Sequence, residues 1–472
     1  MTTKKNTNAA APQTSSSFTE GGILLPLIRF ALPVLLALFL QAMYGAVDLL
    51  VVGKFASSAD VSAVSTGSQL LATITSVIAS FSMGTTIILG QQIGRGEGSK
   101  GGDTIGASIV LFAIIGVLLS AFMILGAPLL ANIMNAPEEA FSQTVAYIRI
   151  CGAGILVIIA YNMIGSIFRG IGDSTTPLIT VSIACVCNIA GDLFLVDVCH
   201  LGAAGAAIAT VGAQAVSVIL SLILIRRKNL PFSLHRSQLR FVPSIVGRVA
   251  SLGSPIALQD FLVGLSFLIL LAIINALGLT ASAGIGVAEK VAAFIMLMPS
   301  AFMQSLAAFV AQNYGAGRLE RGEKALHYAI GMSLVLGVAI SWLTACHGDL
   351  LAGIFTNDPA VVAAAWDYLK AYAIDCVLTP IFFCYIGFFN GVGRTRFVMI
   401  QGLIGAFCVR VPVAFLMSRI QPVTLFRIGL STPCSSTVQI VLCLVYMFII
   451  RKSFAAVRSS SESTDSGSFT AK

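Results

Sequence analysis

Three motifs in the first half of this chain recur in the second half at one constant offset of 221 residues. Gln91-Gln92-Ile93-Gly94-Arg95-Gly96 returns as Gln312-Asn313-Tyr314-Gly315-Ala316-Gly317. Phe168-Arg169-Gly170-Ile171-Gly172 returns as Phe389-Asn390-Gly391-Val392-Gly393, and Tyr147-Ile148-Arg149 falls on Tyr368-Leu369-Lys370. Pro33 answers Pro255 one residue further on, as a single-residue loop change would produce. A constant offset across separate matches means two homologous halves with almost no insertions between them. Whatever architecture one half adopts, the other must adopt too.

Composition says what that unit is. Hydrophobic residues make up 57% of the chain and charged residues 10%, against about 25% charged in a soluble domain. Apolar runs such as Ile105 to Leu125 and Val145 to Ile167 reach the roughly 20 residues that cross a bilayer core of about 30 Å. They are too long for barrel strands and lack two-residue alternation. The reading is an all-α polytopic membrane protein of twelve spans in two pseudo-symmetric six-helix bundles. The spans are placed at 27–52, 62–90, 104–127, 139–168, 177–198 and 203–226, then 246–276, 281–311, 325–346, 361–389, 397–418 and 428–450. The lobes are then 23–227 and 245–452, joined by a linker at 228–244, with disordered tails at 1–22 and 453–472. No cleavable secretory signal is read at the N-terminus, so the first span serves as its own insertion signal. Pro33 and Pro255 are the expected kinks of the opening helix in each half.

Charge orients the bundle. With the N-terminus inside, 21 of the 28 lysines and arginines fall in cytoplasmic segments, which places both termini in the cytoplasm of a cell-membrane protein. The net charge of +8 thus marks topology and gives no reason to expect nucleic acid as a partner. Membrane lipid is the surrounding, and a monomer is expected. The ten cysteines and four histidines are scattered, without the spacing of a metal site.

Ionisable groups inside spans need a reason, because an ionised Asp at mid-membrane costs roughly 2.5–3.5 kcal/mol. Asp48 stands in an apolar stretch; Asn188 and Asp192, four apart, share one helix face. Counting 1.5 Å of rise per residue puts Asp48, Tyr147, Asn188, Asp192 and Thr210 in one layer of the outer half of the first bundle. Two carboxylates with hydroxyl and amide oxygens suit a proton or a small hard cation, so Na⁺ at Asp48 and Asp192 is one option and H⁺ the other. Interhelical hydrogen bonding is the alternative use of the same groups. The second half is no copy here: Asp48 corresponds to Leu270, and its own buried candidates for ion or substrate are Asp260, Glu289 beside Lys290, and Asp375. Arg410 is expected to pair with a carboxylate. There is no Gly-x-x-x-x-Gly-Lys-Ser/Thr stretch for ATP, and Gly94-Arg95-Gly96 follows a membrane helix, so its glycines read as a tight turn.

On these features the chain resembles the multidrug and toxic compound extrusion (MATE) family, over about residues 25–450. The Asp48, Tyr147, Asn188, Asp192, Thr210 set looks like the N-lobe cation site of its DinF-like branch. Asp375 resembles an acid of the NorM-like C-lobe site, whose helix-seven glutamate falls at Val263 here. The resemblance implies a V-shaped cleft between the lobes, Pro33 as the hinge of the first helix, and secondary active efflux of organic cations or drugs in exchange for H⁺ or Na⁺, with no other cofactor and no enzymatic activity. Met296, Met298, Met303 and Phe294 are candidates for the drug cavity. The alternative is a flippase for lipid-linked oligosaccharides from the same superfamily; the few basic residues at membrane depth (Lys290, Arg410) favour organic cations over phosphates.

Overall fold

The computed structural model describes residues 18–228, 230–232 and 234–466, with side chains to Arg451; most of the two expected tails lies outside them. The chain runs through α1 (Leu24–Phe55), α2 (Ser58–Gly94), α3 (Gly98–Leu125), α4 (Glu138–Ala153 and Ile155–Ile171), α5 (Thr175–Val198) and α6 (Gly202–Arg227). A second set follows: α7 (Pro243–Asn275), α8 (Leu279–Gly315), α9 (Leu319–Gly353), α10 (Pro359–Gly391), α11 (Thr395–Met417) and α12 (Leu425–Arg451). All are long and apolar enough to cross a membrane when the two segments of α4 count as one span. They alternate in direction, so one end of the bundle carries the Gly-rich turns and most basic residues. We call it the basic end.

The two prolines do not break their helices, and one break appears where none was expected. Both α1 and α7 stay helical through Pro33 and Pro255. The break is in α4, whose two segments are bent by 52° at Gly154. A Cβ there would lie 2.3 Å from Val211 of α6, so α4 can lean on its neighbour only because that residue is glycine.

Packing reaches back to Phe18, whose ring is 2% exposed. At the other end helix continues to Ser466. Arg321 anchors the N-terminal segment: its guanidinium donates to the carbonyls of Phe18, Glu20, Gly21 and Gly22, and Phe18 packs on Phe30 and Phe309 at centroid distances of 5.1 and 5.0 Å. The first helix packs with both halves. Leu27, Phe30, Ala31 and Val34 of α1 share an apolar cluster with Phe302, Phe309 and Phe388 of the second half. Val51 and Val52 of the same helix belong to the core of the first half. Thus α1 changes lobes along its length, on either side of a stretch that begins near Pro33.

The duplicated motifs turn out to join the halves. The second glycine of each Gln-x-x-Gly-x-Gly, Gly96 and Gly317, makes the turn, with φ of 76° and 71°. The first glycine is a crossing point. A Cβ on Gly94 would sit 1.9 Å from the Gln312 carbonyl oxygen, and one on Gly315 would sit 2.1 Å from that of Gln91. The glutamines bond reciprocally across the boundary: Gln91 Nε2 donates to Gly391 O at 3.1 Å and Gln312 Nε2 to Gly170 O at 2.9 Å. Every residue from Ser82 to Gln91 of α2 is buried, as is every residue from Ser305 to Asn313 of α8. Toward the other end α2 keeps only one buried face. The lobes therefore meet as the point of a V whose closed point lies at the basic end.

Candidate functional site

The acidic layer is assembled by ties at the end opposite the basic turns. Ser57 and Asp60 form a reciprocal capping box at the start of α2, satisfying donors that a helix leaves open. The second oxygen of Asp60 accepts from Ala203 N at 3.0 Å, locking the start of α2 to the start of α6. Two turns into these helices lie Gly67 and Thr210. Gly67 matters because the Tyr147 ring lies flush against it: a Cβ would meet Tyr147 Cδ1 at 2.3 Å. From α5, Asn188 and Asp192 come down on the same face, and the helix changes from α to π immediately after Asp192, over Leu193–Val198. Such single-turn π insertions re-aim the side chains beside them.

These elements bring the first-lobe candidates together. Asp48, Tyr147, Asn188 and Asp192 are each at most 2% exposed, and Thr210 is 7% exposed. Thr210 Oγ1 donates to Asp48 Oδ2 at 2.9 Å. Asn188 and Asp192 face the Asp48 carboxylate from α5. Asp48 Oδ1, both Asp192 oxygens and both amide atoms of Asn188 are buried without a hydrogen-bond partner. Unsatisfied buried oxygens at one point are rare and costly. With no basic side chain paired to it among the described residues, this cluster has the oxygen donors that a proton or a hard monovalent cation requires.

Tyr44 was not anticipated. It sits one turn before Asp48 on the same face of α1 and donates to Val181 O of α5 at 2.9 Å, fixing the rotation of α1 that points Asp48 inward. The spacing of four from Asp48 was the signal for it.

The second-lobe candidates do not form an equivalent site. Asp260 stands at the lobe boundary and accepts from Ser80 of α2. Asp375, 1% exposed, accepts from Thr379 Oγ1 at 2.7 Å and, with Glu289, flanks Tyr368. Arg410 has no carboxylate within ion-pair distance among the described residues; it donates to Ser266 Oγ at 3.0 Å and lies 4.1 Å from the centroid of the Phe267 ring. The expected pairing is absent: the guanidinium turns to Ser266 and that ring, which leaves its Nε buried without a partner, while one oxygen of Asp375 is held by a hydroxyl. Lys290 likewise lies over the Phe355 ring, 5.9 Å from its centroid. Of the suggested drug-cavity residues, Met298 is 7% exposed in the apolar core, and Phe294 reaches the lobe boundary, 6.2 Å from the Phe39 centroid.

Comparison with known proteins identifies the family and the fold. The MatE family model matches twice, at residues 33–194 and 255–416, one match in each half. The chain is 27% identical to the probable multidrug resistance protein YpnP of Bacillus subtilis, over 85% of this chain and 90% of that protein. It is 23% identical to the multidrug export protein MepA of Staphylococcus saprophyticus, over 85% and 88%. Among solved structures, one described as the outward-facing conformation of a multidrug resistance MATE family transporter superposes with a TM-score of 0.85 at 20% identity, covering 95% of this chain and all of that one. Another, described as MATE in complex with MaL6, gives 0.85 at 19% identity over 94% and 100%. With a match in each half and the same fold throughout, the chain belongs to the MatE family.

Proposed function

We propose that this protein is a secondary active multidrug efflux transporter of the cell membrane, exporting organic cations in exchange for H⁺ or Na⁺. The observation that carries the reading is the buried Asp48–Asp192 pair with its unpartnered oxygens. Two such carboxylates side by side in a low-dielectric layer cannot both stay charged without a cation, so ion occupancy and local packing are linked. The basic end faces the cytoplasm, by the distribution of lysine and arginine, and both termini lie there. Bound cation draws Asp192 of α5 toward Asp48 of α1. Because α1 continues into the second lobe, with Pro33 as the hinge, that shift reaches the clasp at the basic end. Exchange follows if ion and drug favour opposite states of the clasp. The family relatives named as multidrug export and resistance proteins support the same reading.

The test is ethidium efflux by the full chain in proteoliposomes under separately imposed pH and Na⁺ gradients. One of the two gradients is expected to drive efflux, and Asp48→Asn and Asp192→Asn each reduce it to the passive leak while membrane expression is kept. Wild-type rates in either variant would remove the acid pair from the mechanism.

A further inference from the structure

We propose that the linker between the lobes is an interfacial anchor that binds anionic phospholipid in the leaflet at the basic end. The site lies outside the acidic layer and depends neither on the coupling ion nor on the exported substrate.

The linker is fastened along the flank of α3. Phe232 packs against the apolar core of the first lobe, and a Cβ on Gly101 of α3 would lie 2.9 Å from its ring. A Cβ on Gly98 would lie 2.9 Å from Pro231 O, and one on Gly106 would lie 2.1 Å from Gln238 O. The linker therefore follows α3 from Gly98 to Gly106, about 12 Å of helix. His235 N donates to Gln238 Oε1 at 2.9 Å and Arg240 N to Gln238 O at 2.8 Å, so the chain folds tightly around that glutamine. Gly106 is the second residue of the apolar run Ile105 to Leu125, which is long enough by itself to cross the bilayer core. The contact with Gln238 accordingly marks the level where hydrocarbon begins.

At that level the linker turns apolar side chains outward. Leu234, Leu239 and Phe241 are 47%, 44% and 53% exposed, although Leu239 N would lie only 3.3 Å from the same Gly106 Cβ. Arg236 and Arg240, interleaved with them, are exposed too. The other described turns of the basic end, at 95–97, 172–174, 316–318 and 392–394, carry no exposed large apolar side chain, so the combination is particular to the linker. Exposed apolar groups beside arginines, at the edge of the hydrocarbon, are the pattern of an interfacial anchor.

Charge selects the lipid. From Arg226 to Arg248 the sequence holds six lysines and arginines and neither Asp nor Glu. Lys228 is neutralised by Asp173 at 2.6 Å, but no ion pair engages Arg226, Arg227, Arg236 or Arg240 among the described residues. Guanidinium groups at headgroup level attract phosphate. Phosphatidylcholine carries its own cation beside the phosphate, whereas phosphatidylglycerol does not. The matching occupant is thus an anionic phospholipid, with Leu239 and Phe241 against its acyl chains. Because the linker is fastened to the first lobe and runs directly into α7 of the second, the lipid sits where the two lobes are covalently joined.

The test is native mass spectrometry of the full chain in detergent, titrated with phosphatidylglycerol or with phosphatidylcholine of identical acyl chains. The first phosphatidylglycerol is expected to bind roughly tenfold more tightly than the first phosphatidylcholine, in line with the attraction of basic residues for anionic headgroups. Arg236→Gln together with Arg240→Gln should abolish that preference. Arg236→Lys together with Arg240→Lys should keep it, which also shows that the altered segment still folds. Arg394→Gln together with Arg396→Gln removes equal charge from exposed positions elsewhere at the basic end and should leave the preference unchanged. Phe241→Ser should weaken both lipids alike. Equal affinity for the two lipids, a preference that survives the double glutamine variant, its loss in the lysine variant or in the Arg394 and Arg396 control, or unaltered binding in Phe241→Ser overturns the proposal. Displacement of the bound lipid by equimolar inorganic phosphate would assign the arginines to a soluble anion and overturns it as well. Binding is read without transport, so failure here leaves the ethidium reading standing, and failure of ethidium efflux leaves this result standing.

Discussion

Single atoms decide the behaviour of the acidic layer. Gly67 gives the Tyr147 ring its place, so Gly67→Ala should move that ring off the Asp48 cluster and lower ion-driven efflux at least about tenfold, as expected when a positioning group is misplaced by about 1 Å. Gly53→Ala is the matched control, since a Cβ there meets nothing within 4 Å; its efflux should stay at the wild-type rate. At the basic end, Asp173 accepts from Thr175 N, Thr176 N and Lys228 Nζ at 3.1, 3.0 and 2.6 Å. Burial pushes its carboxyl up, but the bonds from Lys228 and Thr176 outweigh that and hold it below the usual Asp range. A depressed folded-state value means that the stabilisation is complete above the ordinary carboxylate range and is lost as pH falls through the lower value. Thermal unfolding in detergent should show that acid-side loss in the wild type, and Asp173→Asn should flatten it, with Asp173→Ala costing about 1 kcal/mol at neutral pH.

The helices acting as units carry the conformational change. α2 and α8 cross at Gly94 and Gly315 with no room for a side chain, and Phe18 is wedged between Phe309 and Gly172, whose Cβ would lie 3.3 Å from that ring. Gly94→Val should therefore hold the basic end apart, seen as labelling of a cysteine placed at Gln92 by a membrane-impermeant reagent from the cytoplasmic side. Phe18→Ala should raise the same labelling less, because the reciprocal glutamine bonds persist. Labelling of both variants at the wild-type level would mean that this clasp is not what keeps the end closed. The bend of α4 at Gly154 belongs to this scale too. It was illegible in the apolar run 139–168, because a glycine in a membrane helix bends it only when a neighbour such as Val211 presses on that spot.

Across the whole molecule, a symmetric scaffold carries asymmetric chemistry. Tyr147 and Thr210 have counterparts in Tyr368 and Ser431, but Asp48 meets Leu270, and the second lobe holds Asp375 together with Arg410 instead. Asp375 accepts from Thr379 Oγ1 and has no second Asp against it among the described residues, so it is no counterpart of the Asp48–Asp192 pair. Asp375→Asn should thus change the efflux rate without changing which gradient drives it, while Asp48→Asn abolishes the dependence. A loss of gradient dependence in Asp375→Asn would place coupling in both lobes.

Much of this was readable from the chain. The constant offset and the apolar runs determined two six-span halves, because burial of a backbone in lipid permits only helices and a duplicated pattern permits only a duplicated fold. The rise per residue was enough to put Asp48, Asn188, Asp192 and Thr210 at one depth. Depth along an axis is a property of a single helix, whereas rotation about it and contact between helices are not. Tertiary structure alone decided that the repeated glutamines clasp opposite lobes, that α1 belongs to both, and that Arg410 turns to Ser266 and Phe267.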